Sequence, residues 1–425
     1  MHHYYPMPTY KPSVRCFPDP NLEAAVRTAV GVPVGDIHQS DLDLITSFTA
    51  DTLGIVDLTG MEYWTTLTYL SLCHNSISNI SVLSTLTNLT ALYLSSNSIV
   101  DISPLSTLIN LTALYLNSNS IVDIASLATL INLTDLDLSS NSIVDIASLA
   151  TLINLTELNL SYNSISNISP LSTLTNLTYL VLSYNSISNI SPLSTLINLT
   201  TLGLDVNSIS NISVLSTLTN LTGLDLSSNS ISDISALATL TNLTGLGLGI
   251  NSISDISALS TLINLIYLTL YENNVVDISA LSTLINLTYL TLWDNNIVDI
   301  SAIAMTSGGL WITSNPLNVA AYSTDIPALQ TAGVTVFFDA EPTPTVSDID
   351  PDSGTTAGGT AVTITGTNFL DGATATIDGE PCTDVVFVDS TSLTAVTPAG
   401  TAGAKDVVVT NDVETGTLVN GYEYT

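Results

Sequence analysis

Leucine and isoleucine recur along most of the chain in a fixed pattern with a period of 22 residues. The pattern is N-x-I/V-x-D/N-I-x-x-L/I-x-x-L-x-N-L-x-x-L-x-L-x-x, and it repeats without an insertion or a deletion. One asparagine marks each repeat: Asn75, Asn97, Asn119, Asn141, Asn163, Asn185, Asn207, Asn229, Asn251, Asn273 and Asn295. A constant period of this length predicts a solenoid of stacked repeats.

Each repeat combines two hydrophobic spacings. Leu92 and Leu94 alternate with polar residues, which predicts a short strand whose two leucines point the same way. One repeat cannot bury these leucines alone, so we expect stacked repeats to pair about twelve strands into a parallel sheet. The other apolar residues, such as Ile99, Ile102 and Leu105, recur about three apart, which favours a 3₁₀-like return on the convex side.

The asparagine column has a structural explanation. Where the chain bends away from a strand, inward-pointing backbone groups need partners, and an amide side chain both donates and accepts. An unpaired group there would cost roughly 1 to 3 kcal/mol. We therefore expect the asparagines to form a ladder that joins the turns of neighbouring repeats.

From about residue 17 to 340, the pattern resembles the 22-residue leucine-rich repeats of bacterial internalins. The segment after Phe17 predicts a helix with Asp19 at its N-cap and Pro20 in its first turn, similar to the helical cap of that family. Two sets of residues are expected to be buried at this end: Phe17, Leu22, Val26 and Val30 on the helix, and Ile55, Leu58, Met61 and Trp64 in a degenerate first repeat. At the other end, Asn315-Pro-Leu317 and Val334-Thr-Val-Phe-Phe-Asp339 resemble the terminal cap of the family.

Beyond a Pro-rich linker, the composition changes to Thr, Val and Gly, with alternating segments between Gly and Pro turns, which predicts a β-sandwich. Pro351-Asp-Ser-Gly354, Gly358-Gly-Thr360, Gly366-Thr-Asn-Phe369 and Thr397-Pro398 resemble an IPT/TIG immunoglobulin-like domain. The expected fold is thus a leucine-rich-repeat solenoid, with a curved parallel sheet and a helical N-terminal cap, followed by a small all-β sandwich. The expected divisions are a tail at 1–16, the N-cap and degenerate repeat at 17–66, repeats at 67–300, a C-terminal cap at 301–340, the linker at 341–346 and the sandwich at 347–425.

Charge excludes some partners. The chain has 4 basic against 37 acidic residues, a formal charge of -33, and no basic residue between Arg27 and Lys405. We expect no nucleic acid partner, because phosphates need a basic surface. No stretch of about 20 apolar residues is present, so no membrane insertion is expected, and no signal peptide is visible at the start.

No catalytic, metal or cofactor motif emerges from the sequence. No nucleophile, base and orienting group converge in sequence, so we expect no enzymatic activity and no cofactor. The three cysteines fit no metal motif; Cys16 and Cys73 are either bridged or, with Cys382, free. Asp348, Asp350 and Asp352 imitate the start of a calcium loop, but Ser353 replaces the expected Gly.

The outward strand positions vary from repeat to repeat and form the concave face. We expect ligand contacts there because Tyr and Trp supply large contact areas at low entropic cost. The expected residues are Tyr93, Tyr115, Asp135, Asp137, Glu157, Tyr179, Tyr267, Tyr271, Tyr289 and Trp293. The alternative is that these columns vary only because solvent tolerates any residue there.

Two periodic polar features have structural explanations beside functional ones. Asp or Asn recurs in a column that begins at Asp101 and ends at Asp299, and it either caps the local turn or bridges divalent cations. The sequon Asn88-Leu-Thr90 also recurs, which favours a role in the turn over glycosylation.

These observations favour a non-enzymatic recognition or adhesion protein that binds a protein or glycan on its concave face. An extracellular or cell-surface location is implied by the family resemblance alone. The alternative is a structural subunit of a filament, surface layer or virion that binds copies of itself through its repeats and immunoglobulin-like domain.

Overall fold

The computed structural model describes residues 14–425, so most of the tail expected at 1–16 lies outside the described residues. The chain divides into two compact units, one ending at Ser230 and one running from Ile231 to Thr425. None of the helices in residues 14–425 combines the length and hydropathy needed to cross a bilayer.

The first unit opens with a short cap. Strands Val14–Arg15 and Ile37–His38 pair antiparallel and are joined through helix Pro20–Val30, and a short helix Gln39–Leu42 follows. The Asp19 carboxylate accepts the backbone N–H groups of Asn21 and Leu22, as expected of an N-cap.

The buried face of this helix largely follows the predicted stripe. Phe17, Leu22 and Val26 are buried, whereas Val30 at the last turn is only partly buried, so the stripe ends one turn earlier than predicted. The residues of the degenerate first repeat, Ile55, Leu58, Met61 and Trp64, are buried as predicted.

Stacked repeats make up the rest of the first unit. The parallel strands between residues 47 and 225 are Ser47–Thr49, Tyr69–Ser71, Ala91–Tyr93, Ala113–Tyr115, Asp135–Asp137, Glu157–Asn159, Tyr179–Val181, Thr201–Gly203 and Gly223–Asp225. The 3₁₀ helices on the return side are Met61–Tyr63, Ser81–Thr85, Ser103–Thr107, Ala125–Thr129, Ala147–Thr151, Ser169–Thr173, Ser191–Thr195 and Ser213–Thr217. Strands and 3₁₀ returns thus alternate as the hydrophobic spacing predicts.

The second unit continues the same alternation and ends in a cap. Its parallel strands are Gly245–Gly247, Tyr267–Thr269, Tyr289–Thr291, Gly308–Trp311 and Val334–Phe337. Its 3₁₀ helices are Ser235–Thr239, Ser257–Thr261 and Ser279–Thr283, and its cap contains a π-helical segment Ala321–Asp325 and helix Ile326–Thr331. The expected number of about twelve parallel strands was wrong. The described residues contain nine of these strands in the first unit and five in the second. The leucine pattern misses some of them because Phe48 and residues of the C-terminal cap occupy the core positions there.

The core of a repeat consists of aliphatic side chains stacked in register. In a representative repeat, each of the following residues is at most 1% exposed: Ile99, Ile102, Leu105, Leu108, Leu111, Leu114 and Leu116. Burying one such side chain contributes roughly 1.5 to 3 kcal/mol. The outward residues between the leucines make no contribution to this core.

The asparagine ladder connects neighbouring repeats. The Asn97 Oδ1 accepts the N–H of Ile77 at 3.0 Å, and its Nδ2 donates to the carbonyls of Leu72 and Leu94 at 3.0 and 3.1 Å. Asn119 repeats the arrangement one repeat later and donates to the same Leu94 carbonyl. Each amide therefore ties its own turn to the preceding one.

Residues 345–424 form two packed sheets. One contains strands Thr345–Asp350, Ala361–Thr367, Ser392–Val396 and Thr383–Asp389, and the other contains Ser353–Gly354, Thr415–Tyr424, Gly403–Thr410, Thr374–Ile377 and Glu380–Pro381. Ile364, Phe369 and Tyr422 lie in the core between them. The Pro-rich segment before the first strand is held to this domain, because Asn411 donates to the Pro342 carbonyl at 2.9 Å. The predicted fold, repeats followed by an immunoglobulin-like sandwich, is confirmed.

We expect Asn185→Leu to lower the free energy of unfolding by about 1 to 3 kcal/mol, because it leaves the N–H of Ile165 without a partner and removes one of the two amide donors to the Leu160 carbonyl. Asn176→Ala is the matched control: its amide is exposed and makes one bond, to the Ile153 carbonyl. Urea unfolding followed by circular dichroism measures both variants. Equal stability of the two would contradict the role of the ladder.

Candidate binding surfaces

A row of aromatic rings crosses the outward face of the second unit. Tyr267 stacks on Tyr289 with ring centroids 4.5 Å apart, Tyr289 lies 4.7 Å from Trp311, and Trp311 stacks on Phe337 at 4.9 Å. The four rings stand on adjacent parallel strands. Tyr267 and Phe337, at the two ends of the row, are 43% and 44% exposed.

A second stack lies just beyond the ends of these strands. Tyr271 and Trp293 are nearly parallel, with centroids 4.7 Å apart. The Tyr271 ring occupies space that a Cβ on Gly249 would fill, so the absence of a side chain at Gly249 permits this placement. Together, Tyr267, Tyr271, Tyr289, Trp293, Trp311 and Phe337 form what we call the aromatic patch.

Between the two stacks lie outward strand positions that solvent does not reach. Thr269 and Thr291 are both 5% exposed. The Thr269 hydroxyl oxygen accepts the N–H of Leu248 at 3.4 Å, whereas the Thr291 hydroxyl is buried with no hydrogen-bond partner. The floor between the two rows is therefore polar, and acidic side chains, Glu272 and Asp294, directly follow Tyr271 and Trp293 in the chain.

The sequence predicted Tyr267, Tyr271, Tyr289 and Trp293 as contact residues but missed Trp311 and Phe337. The 22-residue period stops at Asn295, and the next ladder residue, Asn315, follows after only 20 residues. The pattern Leu310-Trp-Ile-x-x-Asn315 retains the strand signature, and it marks Trp311 as an outward strand position once a repeat of 20 residues is allowed.

In the first unit, tyrosines are followed by acidic residues on consecutive strands. Tyr93 lies 5.3 Å from Tyr69 and stacks on Tyr115 at 4.8 Å. The Tyr115 hydroxyl donates to the Asp135 carboxylate. Burial, together with this hydrogen bond, raises the pKa of Tyr115, so its hydroxyl stays protonated and fixes the carboxylate.

A cavity of about 200 Å³ lies beside Tyr115, and we call it the acidic cavity. Its lining includes Tyr115, Asp135, Leu136, Asp137, Glu157, Leu158, Asn159 and Tyr179. Five residues predicted as contacts are thus brought together. The Asp137 carboxylate also accepts the N–H of Ser139 at 2.8 Å, which orients it.

A stacked tyrosine pair at the turns of the first unit was not anticipated. Tyr162 and Tyr184 have ring centroids 4.0 Å apart and are 51% and 42% exposed. Both have left-handed backbone conformations, with φ of 54° and 55°, at a position that Ser occupies in several other repeats. The repeat pattern contains no signal for them, because the strand ends before this position.

The periodic Asp and Asn column caps turns, as the structural explanation predicted. The Asp101 carboxylate accepts the N–H of Ser103 at 2.8 Å, and the same bond recurs through Asp299. This backbone hydrogen bond holds the pKa of Asp101, and likewise of Asp299, below its ordinary value.

The sequon residues also join neighbouring repeats, in agreement with the predicted turn role. The Asn88 Nδ2 donates to the Thr65 carbonyl at 2.8 Å, and the Thr90 hydroxyl donates to the Thr68 carbonyl at 3.0 Å. The nitrogen that would carry a glycan is therefore engaged in the repeat.

The structure does not gather metal ligands or pair the cysteines. Asp348 and Asp350 are exposed on strand Thr345–Asp350, and Asp352 is exposed just after it. Within residues 14–425, no three His, Cys, Asp or Glu side chains group as metal ligands. Cys16, Cys73 and Cys382 are free thiols.

Known structures share this arrangement. A crystal structure of the internalin InlF from Listeria monocytogenes is 36% identical, with a TM-score of 0.62; the match covers 67% of this chain and 92% of that one. The chain belongs to the internalin family. The functional domain of the Listeria internalin InlJ shares the fold over 96% of this chain and 97% of its own, at 22% identity and a TM-score of 0.64. A plant peptide hormone receptor, RGFR1 in complex with RGF2, also shares the fold, at 20% identity and a TM-score of 0.55, over 71% of this chain and 56% of that one.

Domain models agree with the internalin assignment. Leucine-rich repeats match at 65–107, 153–195, 175–217 and 219–261, and an IPT/TIG domain matches at 344–425. Fibrocystin-L from mouse is 39% identical over 67 residues, and the human protein 40%; the chain spans about 2% of the length of these curated relatives. Both domain types are typically non-enzymatic binding domains, so this internalin has a protein-binding or recognition role.

We expect Gly249→Val to displace the Tyr271 ring from Trp293, because the new side chain overlaps the ring. The near-ultraviolet circular dichroism from the stacked pair should disappear, and the overlap should lower the free energy of unfolding by about 1 to 3 kcal/mol. Gly245→Val is the matched control, since a Cβ there meets nothing within 4 Å. A Gly249→Val spectrum identical to that of the parent would refute the stacked geometry.

Proposed function

We propose that this internalin is an extracellular or cell-surface recognition and adhesion protein that binds a protein or glycan through outward strand positions of its repeats. The aromatic patch is the observation that carries the proposal. The division of the chain given above, with the immunoglobulin-like domain from about residue 347 acting as a spacer or docking module, is part of the same proposal.

The patch has the properties of a binding hot spot. Tyr and Trp dominate such sites because they bury large areas with few rotatable bonds. Stacking holds the rings in place before a partner arrives, so little conformational entropy remains to be lost on binding. The exposed ends at Tyr267 and Phe337 leave apolar area that a partner would cover.

A partner with an apolar or aromatic contact surface suits these rings. The six rings of the patch are uncharged, and the Thr269 and Thr291 hydroxyls between the two stacks are too buried to bond a partner. A protein partner is favoured by the complex of the structurally similar plant receptor with its peptide hormone.

We expect the combined substitutions Tyr267→Ala, Tyr271→Ala, Tyr289→Ala and Trp293→Ala to abolish capture of partners from an array of extracellular proteins and glycans. Removing one hot-spot side chain typically costs 2 kcal/mol or more. The control is Ile263→Ala with Ile285→Ala, which removes exposed apolar side chains, 53% and 62% exposed, from turns of the same repeats.

If the variant that lacks the four aromatic side chains still captures the same partners, the assignment of the aromatic patch as the binding site is wrong. Sedimentation and electron microscopy of the parent protein test the alternative, because ordered polymers of the pure protein would favour a structural subunit over a recognition protein.

A further inference from the structure

We propose that the acidic cavity of the first unit binds a lysine or arginine side chain of a protein partner. The proposal rests on the recognition function proposed above and specifies the chemistry of the partner. It concerns a different surface from the aromatic patch, so the two can be tested independently.

The cavity has aromatic walls and an acidic lining. Tyr115 and Tyr179 stand on strands that are separated by the two strands Asp135–Asp137 and Glu157–Asn159. At the usual strand spacing, three steps leave about 14 Å between the backbones of the walls. The volume of about 200 Å³ suits one extended side chain rather than a folded segment.

The carboxylates of Asp135, Asp137 and Glu157 line the same cavity, and none of them pairs with a basic side chain of residues 14–425. Asp135 and Glu157 are direct neighbours across two parallel strands, and Asp137 lies opposite Asn159. Like charges opposite each other destabilise a sheet, and a bound cation reverses that effect. The basic residues of the described chain are engaged elsewhere: Arg15 lies over the Tyr63 ring, Arg27 pairs with Glu23, and Lys405 pairs with Asp378.

An organic cation fits better than a metal ion. The three carboxylates do not converge as a metal-binding group in the described residues. Tyrosine rings attract ammonium and guanidinium groups and also pack against the apolar stem of Lys or Arg. The hydroxyl of Tyr115 fixes Asp135 in the orientation in which it would accept a hydrogen bond from the cation.

A second observation on the same repeats indicates that the partner is a protein. The Tyr162–Tyr184 pair follows the strands Glu157–Asn159 and Tyr179–Val181 that line the cavity. Large aromatic side chains about half exposed at a strained backbone position suit a macromolecular contact that covers them. A basic side chain flanked by apolar contacts is therefore the expected ligand.

The test uses the full chain and a fluorescent peptide of alternating Lys and Gly, with a matched peptide of Gln and Gly. The cavity variant is Asp135→Asn with Asp137→Asn and Glu157→Gln, in which hydrogen-bond acceptors are retained. The control is Asp101→Asn with Asp123→Asn and Asp145→Asn; it removes the same charge from turns where Asn occurs naturally in other repeats, as at Asn167. Anisotropy at about 0.15 M salt measures binding.

We expect the parent to bind the lysine peptide in preference to the glutamine peptide. The cavity variant should weaken lysine-peptide binding at least about tenfold, and the turn control less than about twofold. Equal weakening by both variants would show that only the overall negative charge matters and would overturn the proposal, as would equal binding of the two peptides. If the cavity proposal fails while the aromatic variant still abolishes capture, the recognition function stands; if neither variant affects capture, that function fails as well.

Discussion

One hydrogen-bonded amide per repeat connects the strands to the returns in this chain. Asn185 accepts the N–H of Ile165 and donates to the carbonyls of Leu160 and Leu182, so a single side chain satisfies groups of two successive turns. An aspartate would supply no donor and a leucine would supply neither function. Because the N–H of Ile165 lies beside an aliphatic core that offers no alternative acceptor, the regular stacking of the leucines depends on this side chain.

Because the ladder asparagines and the buried leucines hold the repeats together, the outward strand positions are free to vary. Leu114 and Leu116 are fully buried, whereas Tyr115 between them points to the other face and is only partly buried. A substitution at such a position changes the surface without opening a cavity in the core. This explains how Gly247, Thr269 and Asp137 occupy equivalent positions in one regular scaffold.

The repetitive framework could be predicted from the sequence because each part of it recurs with the 22-residue period. The prediction was incomplete where the period breaks: Phe48 replaces leucine in the first strand, and Trp311 and Phe337 belong to a shortened repeat and a cap. Tyr162 and Tyr184 escaped for another reason, since their left-handed turn carries Ser in other repeats and shows no glycine signal. Residue type alone suggested the contact residues. Which of them share a cavity depends on the strand register, as for Tyr115 and Tyr179, and the residue pattern does not specify it.

The two candidate surfaces imply different contributions to the binding of a partner. Stacked, uncharged rings around Tyr289 and Trp293 favour a slow dissociation rate, because their burial is short-ranged and insensitive to salt. Asp135, Asp137 and Glu157 add a local field in a protein with a net charge of -33, and such fields mainly raise association rates and exclude anionic partners. A partner that engages the acidic cavity should therefore lose association rate as salt increases, whereas one that contacts only the aromatic patch should not, and this kinetic difference separates the surfaces without any knowledge of the partner's identity.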